Sequence, residues 1–217
     1  MTRILMFRSL ILTTVIAAMI LCLMLAGGDN GYAQLSSSPI CPGDIFAVQN
    51  KGDTTIALFD QYTTPETDRH HFGLIWKCQG NSFKIIHSRP GVGVIVENIS
   101  RYEMEDLKFY RVNCSWALRQ QALDYASTWI GAKYDYNLVN SVKEQALHIW
   151  LSEGELRRLS SSEFSYSEND RLICTELVDI AYDSVGIHLI TPGGLPLPCG
   201  FRQAEIDGKL RVLQHGY

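Results

Sequence analysis

The sequence predicts an α+β domain, and two features of its apolar pattern carry that prediction. After residue 42, short runs of β-branched and aromatic residues are separated by turn residues, which is typical of strands. From Ser115 onward, the apolar residues recur at the spacing of one helix face. Because the strands are clustered and the helices follow as a separate group, the two kinds of element are expected to segregate.

Six strand-like runs precede the helical region, and a last one follows it. The hairpin signal is clearest around Gly80, where CQGN separates two of the runs. SRYEMEDL at residues 100–107 predicts a polar turn or a short helical piece, and TPGGLPLPCG at residues 191–200 a rigid turn-rich loop. The predicted strands are GDIFAVQN (43–50), TTIALF (54–59), HFGLIWK (71–77), SFKIIHS (82–88), GVIVENI (93–99), KFYRVN (108–113) and KLRVLQ (209–214).

Three helical segments are predicted between these strands and the last one. The first starts at Ser115, a good N-cap, and stops at Gly131. The second lies within residues 140–162 as one or two pieces. The third begins near Cys174 and stops at Gly186. The apolar face of this third helix consists of Leu177, Val178, Ala181 and Val185.

The N-terminal segment is predicted to direct export and to lie outside the fold. Arg3 and Arg8 precede SLILTTVIAAMILCLMLAGG, an uncharged and mostly apolar run at residues 9–28. Small residues on either side of Tyr32 predict cleavage of a signal peptide after Ala33. Since the run is near the length that spans a bilayer, an uncleaved membrane anchor is the alternative.

The domain organisation follows from this segment. Residues 1–33 are the signal peptide or membrane anchor, residues 34–42 a linker, and residues 43–217 one domain. The body is then exported, periplasmic or extracellular, with membrane association through residues 9–28 if they are retained. The net charge of −4, with acidic and basic residues interspersed, argues against a nucleic-acid partner.

Export makes the cysteine count informative. Five cysteines follow the leader, namely Cys41, Cys78, Cys114, Cys174 and Cys199. Cysteines tend to pair in an oxidising compartment, so an odd number leaves one free thiol or one intermolecular partner. The spacing leaves open which of them pair, and also whether the others are simply reduced and buried.

Cys174 stands where a helix is predicted to begin, in RLICTELVDIAYDSVG at residues 171–186. Backbone N–H groups and the positive end of the helix dipole both favour the thiolate, which is the nucleophilic form of cysteine. The alternative is a core cysteine, since cysteine is among the most buried residue types. A nucleophilic thiol also needs a base, which is usually histidine.

His71 and His87 flank the same predicted hairpin and are the candidate bases. Their relation depends on the strand register. If Lys77 pairs with Asn81, the two histidines lie opposite one another, and one imidazole can orient the other. If the register is one residue longer, His87 shares a face with His70 instead. A pair of half-buried histidines with no catalytic role is the alternative in either register.

Five short motifs, in chain order, resemble the permuted papain-like proteins of the NlpC-type superfamily, which include the YiiX/YaeF group. They are PGDIFAV, HHFGLIW, KIIHS, KYDYNLV and LICTELV, and they span roughly residues 40–200. The histidine strand comes before the cysteine helix, which is the reverse of the order in papain. The resemblance implies a circularly permuted papain-like fold, with an antiparallel sheet or small barrel packed against helices.

The resemblance also implies the site. Cys174 is expected to be the nucleophile, His71 the general base, and His87 the third polar residue. That third residue is Glu in many YiiX-like members and His in related acyltransferases, so His87 departs from the YiiX pattern. Tyr134 and Asp135 fall at the family's Tyr-Asp position and are expected to line the substrate pocket, with a plain turn as the alternative.

No cofactor and no metal ion are expected, because the His, Cys and acidic residues show no zinc-binding spacing. Glu176 is expected to be an exposed acid in the first turn of the helix rather than a catalytic group. The oxyanion of the reaction is expected to be held by backbone N–H groups at the helix start, including that of Cys174.

The function implied is that of an exported cysteine hydrolase, which cleaves an amide bond by a Cys-His-His mechanism. Export and the resemblance together indicate peptides of the cell-wall type as its substrate. The first alternative is a lipid or acyl-ester hydrolase or acyltransferase of the lecithin-retinol-acyltransferase kind. The second alternative is a non-catalytic, disulfide-stapled binding module.

Overall fold

Six strands of the described chain form one antiparallel sheet. The computed structural model describes residues 39–49, 51, 63–79, 82–155, 157–164 and 169–213, all within one compact unit. The strands are β1 (Ile45–Gln49), β2 (Arg69–Gln79), β3 (Ser82–Arg89), β4 (Gly93–Asn98), β5 (Leu107–Val112) and β6 (Leu210–Leu213). They lie in the order β4-β3-β2-β1-β5-β6, so the first strand is near the centre.

Four α-helices of the described residues lie between β5 and β6. They are α1 (Trp116–Ser127), α2 (Tyr136–Glu153), α3 (Cys174–Asp183) and α4 (Pro198–Ile206). Single turns of 3-10 helix occupy Ile99–Arg101, Met104–Asp106 and Ser161–Glu163. This segregation of strands and helices confirms the α+β prediction.

The sheet is open within the described residues. β4 and β6 are its two edges, whereas a barrel requires the edge strands to pair with each other. The small barrel considered from the sequence is therefore wrong, and the antiparallel sheet is correct.

The predicted strands are present wherever the structure describes them. The runs at residues 43–50, 71–77, 82–88, 93–99, 108–113 and 209–214 become β1 to β6 in that order. The run TTIALF at residues 54–59 lies outside the described residues. The polar SRYEMEDL segment forms the first two 3-10 turns, as expected for a short helical connection.

The first predicted helix has its expected start but an earlier end. Ser115 is the N-cap, since its Oγ accepts a hydrogen bond from the Leu118 N–H at 3.3 Å. The helix ends at Ser127 rather than at Gly131. The Gly131 N–H donates to the Val94 carbonyl at 2.9 Å, so the chain leaves the helix to join the edge strand β4.

The second predicted helix is one continuous helix that starts four residues early. Asp135 caps it by accepting from the N–H groups of Asn137 and Leu138 at 2.9 and 3.0 Å. Gly154 ends it with a left-handed φ of 70°, which brings its N–H to the Trp150 carbonyl at 2.8 Å. The sequence showed the apolar periodicity of this helix but not the Asp cap.

The sequence pattern does not predict α4, because its first residues lie in the stretch at residues 191–200 that is predicted to be a loop. Pro198 occupies the first turn, where its missing N–H costs nothing. Phe201 and Ala204 are buried, and the Phe201 ring stacks on Phe72 of β2 with the centroids 4.8 Å apart. So short a helix is stabilised by its packing rather than by its propensity.

Both faces of the sheet are covered, and the two faces have separate cores. On one face Phe72 and Leu74 of β2 pack with residues of α1, α3 and α4, including Leu177. On the other face Phe46 and Ile75 pack with the 3-10 segment after β4. Burying one such Leu or Phe side chain contributes roughly 1.5–3 kcal/mol to stability. Strand alternation places His71 on the second face, the one that Phe46 shares.

Candidate active site

α3 places the thiol of Cys174 against the backbone of β2. Cys174 is the first residue of the helix and only 7% exposed, and its Sγ lies 3.8 Å from the His70 carbonyl oxygen. The described β2–β3 ladder ends at Leu74 and Ile86, so the thiol contacts β2 beyond the last strand pair. Leu177, one turn later and fully buried, anchors the helix in the core behind the thiol.

Hydrogen bonds fix the chain on either side of this thiol. The buried Ser88 hydroxyl donates to the Leu172 carbonyl at 2.6 Å, which ties the approach to α3 to the end of β3. Glu176 accepts from the Ile173 N–H at 2.8 Å. Glu176 is fully buried, so the expectation of an exposed acid is wrong. Its carboxylate folds back because the first N–H groups of a helix have no partner within it.

The thiol of Cys174 is neutral at rest. Burial raises its pKa to about 11. Hydrogen bonds from the backbone N–H groups of Phe72, Thr175 and Cys174 itself favour the thiolate, as predicted for a helix start, but burial outweighs them. The predicted effect of the helix start is confirmed, but burial is the larger effect and leaves the thiol protonated. A base must remove the proton before the sulfur can attack.

The β2–β3 hairpin brings the two candidate histidines to one face, though by neither predicted register. Lys77 pairs with Lys84, and a bulge between Ile75 and Lys77 shifts the register before Leu74 pairs with Ile86. Continuing that register places Gly73 opposite His87. His71, two residues before Gly73 on β2, is then the diagonal neighbour of His87 on the same face of the sheet.

Gly73 is required by this arrangement. A Cβ on it would lie 2.7 Å from the His87 Cβ and 2.5 Å from the Phe46 ring. Real Cβ atoms do not make contacts this short, so only glycine at position 73 leaves room for the His87 side chain on this face of the sheet.

Three side chains form a continuous hydrogen-bonded chain on this face. His71 Nε2 lies 2.6 Å from His87 Nδ1, and His87 Nε2 lies 2.9 Å from Glu97 Oε1. The side chain of His87 is completely buried. The Tyr102 ring lies over both imidazoles, with centroids 5.8 Å from His71 and 6.2 Å from His87. Burial raises the pKa of Tyr102 to about 12, so its hydroxyl keeps its proton.

Both histidines are neutral near pH 7. Burial lowers the pKa of His71 well below its ordinary value, and the cationic forms of His87, Arg101 and Arg89 lower it further. Burial also lowers the pKa of His87 to about 4, although the negative charge of Glu97 acts in the opposite direction. A neutral imidazole has a free lone pair on one nitrogen, which is what a general base needs.

His71 and Cys174 line the same cavity, which has a volume of about 430 Å³. No hydrogen bond between described residues joins the thiol to His71 directly. His70 also reaches the cavity, whereas His87 lies behind His71. Among the described lining residues there is no Asp, Glu, Lys or Arg. The apolar part of the wall is formed by Pro90, Leu138, Val139, Val142, Ile173 and Leu197.

The two residues of the Tyr-Asp motif occupy different places. Tyr134 lines the cavity, and its ring lies edge-on to that of Tyr136, with centroids 5.1 Å apart. Burial raises the pKa of Tyr134, so its hydroxyl is protonated. Asp135 is buried at the start of α2, and its second oxygen accepts from the Asn169 amide at 2.7 Å. It is not among the lining residues, and it acts on the cavity only by holding α2, which forms one wall.

Sequence reasoning did not single out Glu97 or Tyr102. Glu97 lies on β4 opposite Ile85, which places it on the same face as His87 two residues along β3. A signal existed, since Glu97 is the only charged residue in the mostly apolar run GVIVENI. Its importance depends on the β3–β4 register, which the sequence alone did not determine.

No disulfide bond joins any two of the five cysteines in the described chain. Cys41, Cys78 and Cys114 are half-buried, while Cys199 is buried in the core beside α2. Cys174 is the one that reaches the cavity. Position in the fold thus distinguishes this thiol, whereas the odd cysteine count left the choice open.

The described residues contain no group of three or more His, Cys, Asp or Glu side chains arranged to hold a metal ion. None of their helices is long and apolar enough to cross a membrane. The apolar run at residues 9–28 lies outside the described residues.

Comparison with known proteins finds no family model and no curated protein that matches this chain. Function therefore has to be inferred from the geometry of the site itself.

Proposed function

We propose that this protein is a cysteine hydrolase that acts on an amide bond through Cys174, His71 and His87. One observation carries the proposal: a buried thiol at a helix start and a neutral imidazole, itself backed by a second imidazole, share one cavity. Buried groups with shifted pKa values in a cavity are typical of catalytic sites.

The reaction begins with transfer of the thiol proton. At rest the thiol lies against the His70 carbonyl, and the first step exchanges this contact for a hydrogen bond to His71. His71 takes the proton, and the sulfur attacks the carbonyl carbon of the substrate to form a tetrahedral intermediate. Backbone N–H groups at the start of α3, including that of Cys174, stabilise the oxyanion.

The remaining steps regenerate the enzyme. The intermediate collapses to a thioester as the protonated His71 gives its proton to the leaving amine. His71 then takes a proton from water, and the resulting hydroxide attacks the thioester carbonyl. The second tetrahedral intermediate collapses with cleavage of the C–S bond to release the acid product, and the thiolate takes its proton back from His71. The chain's own groups supply every proton transfer in this scheme.

We further propose that the fold is a circularly permuted form of the papain-like fold. The order of elements supports this, because the histidine strand β2 precedes the cysteine helix α3 in the chain. The contact of α3 with β2 and β3 also supports it, since this places the helix start beside the histidine strand.

Two substrate classes are proposed. Peptides of the cell-wall type follow from the proposed export of the protein, with residues 1–33 as its signal peptide or membrane anchor. Acyl esters, including lipids, are the second class, and the apolar wall of the cavity favours them. The described residues of that wall offer no charged side chain to a peptide carboxylate or amine, whereas they suit an acyl chain.

The test is to incubate the protein with muropeptides and, in parallel, with phospholipid and short acyl esters. Amide cleavage is the expected result, and ester cleavage alone would assign the protein to the second class. Trapping of a covalent acyl adduct on Cys174, mapped by mass spectrometry after acid quench, identifies the nucleophile in either case. Absence of turnover on all substrates would contradict the proposal and leave a binding module as the better account.

A further inference from the structure

Glu97 ends the hydrogen-bonded chain that starts at His71. Its Oε1 is 2.9 Å from His87 Nε2, and its side chain is 22% exposed, so water competes weakly for this contact. Arg101 Nε lies 3.6 Å from the same oxygen and helps to hold the carboxylate in place. The carboxylate of Glu97 is therefore held in one position, with His87 as its hydrogen-bond partner.

The contact determines where the proton of His87 lies. An ionised carboxylate can only accept hydrogen bonds, so His87 must donate from Nε2. A neutral His87 then has its lone pair on Nδ1. The 2.6 Å contact to His71 is possible only if His71 donates from Nε2. A neutral His71 is left with its lone pair on Nδ1.

We propose that Glu97 is a positioning residue of this site, which fixes the tautomers of both histidines and so makes Nδ1 of His71 the atom that accepts the thiol proton. The inference rests on the proposed function for its catalytic consequence, but the tautomer assignment follows from the contacts and the burial of the two histidines and does not require catalysis. When His71 becomes an imidazolium, the negative charge of Glu97 stabilises it through His87.

Without Glu97, the opposite arrangement becomes available. His87 can carry its proton on Nδ1 and donate it to His71 Nε2 or to the Tyr102 hydroxyl, which lies 3.5 Å away. His71 then carries its proton on Nδ1 and has no lone pair there for the thiol. The other charged groups near the pair are Arg101 and Arg89, both cationic, and neither can accept the proton of His87.

The test compares Glu97→Leu with Glu97→Gln. Leucine removes the acceptor, and kcat is expected to fall by about 10- to 100-fold with little change in KM. Glutamine keeps an acceptor oxygen but loses the charge, so its kcat should lie between wild type and Glu97→Leu. Glu105→Leu, an exposed acid nearby, is the matched control and should keep the wild-type kcat.

A second readout is independent of catalysis. Nitrogen NMR of histidine-labelled protein distinguishes a protonated from an unprotonated ring nitrogen. Wild type should show His71 and His87 each protonated on Nε2 near pH 7, and Glu97→Leu should lose this state in at least His87. Wild-type tautomers in Glu97→Leu, or a wild-type kcat in that variant, would overturn the inference.

The two proposals fail in different ways. If the wild-type protein turns over no substrate, the proposed function fails, while the NMR comparison still decides the role of Glu97 in setting the tautomers. If Glu97→Leu does not fold, as judged by circular dichroism, the same NMR comparison on Glu97→Met, which also removes the carboxylate and is close to glutamate in size, decides it. His87 should then lose the proton on Nε2, because no carboxylate accepts it; wild-type tautomers in that variant would overturn the inference.

Discussion

Two buried networks in this protein are built around a carboxylate, and they differ in what the carboxylate faces. Asp44, just before β1, is fully buried and accepts from Arg111 Nε and Nη2 at 2.8 and 2.6 Å, with Arg119 Nε 3.9 Å away. Glu97 instead accepts from a neutral histidine, and the chain continues through His71 to a cavity.

This difference distinguishes the Asp44 network, which is structural, from the Glu97 network, which is suited to proton transfer. Around Asp44 opposite charges are paired, the hydrogen bond from Arg111 to Asp44 raises the pKa of that guanidinium, and neither group lines the cavity. Around His87 burial keeps the imidazoles neutral, so a proton acceptor is available beside the cavity. A buried charge with a permanent partner holds the fold, whereas a buried neutral base with access to a cavity can take up a proton.

The largest expected effect comes from Cys174→Ala, which removes the nucleophile. We expect kcat/KM to fall by about 10⁴-fold or more, with little change in thermal unfolding, because no other described thiol reaches the cavity. Initial rates and circular dichroism melts measure the two quantities. Cys114→Ala removes a half-buried thiol elsewhere and should keep the wild-type rate. Equal rates for Cys174→Ala and wild type would show that Cys174 is not the nucleophile and that the cavity beside His71 is not the catalytic site.

His71→Ala should lower kcat by about 10²- to 10⁴-fold, because it removes the base that takes the thiol proton. His70→Ala is the adjacent control. His70 also lines the cavity, but its side chain is on the other face of β2, so its loss should lower kcat much less. Steady-state kinetics on both variants decide the assignment. A larger loss for His70→Ala would transfer the base role to that residue.

Asp44→Ala should lower the free energy of unfolding by about 3–5 kcal/mol, because it leaves the Arg111 guanidinium without its partner. Activity should persist at temperatures well below the new melting point, which is how a structural network is recognised. Urea denaturation gives the free energy. The exposed Lys51–Glu103 pair is the matched control, and Glu103→Ala should cost about 0–1 kcal/mol. Loss of activity in folded Asp44→Ala would contradict the purely structural role of the Asp44 network.

The smallest effect is a pH dependence of stability. The folded protein binds a proton at His87 only near pH 4, whereas the unfolded chain binds one below about 6.5. Between these values the unfolded state holds more protons, so the free energy of unfolding decreases as the pH falls, by up to about 3 kcal/mol. Denaturant unfolding at several pH values should show this slope.

The control for this slope is a pair of histidine variants. His87→Leu should reduce the slope between pH 6.5 and 4, because it removes one of the two buried histidines and leaves the contribution of His71. His188→Leu removes an exposed histidine and should leave the slope as in wild type. An unchanged slope in His87→Leu would show that its imidazole is not held neutral by burial.

Much of the fold was predictable, because local periodicity determines it. The strands around His71 and His87 and the start of the cysteine helix follow from alternation, turn residues and an apolar helix face. α4 was not predictable, since a short helix such as Pro198–Ile206 depends on Phe201 packing against the sheet.

The candidate site was only partly predictable. The helix position of Cys174 could be read from the sequence, whereas the face that His87 shares with His71 depended on a register that the sequence left open. The bulge after Ile75 could not be, because it arises from pairing between β2 and β3. Glu97 could not be either, because its place beside His87 depends on the register of a further strand.

By itself, then, the sequence determined the six described strands and three of the four described helices, because these follow from the apolar pattern along the chain. Tertiary structure alone decided the protonation of the site. Burial makes the Cys174 thiol neutral although a helix start favours the thiolate, and it keeps His71 neutral. Both effects depend on what the rest of the fold excludes from contact with water, and no local sequence pattern encodes that.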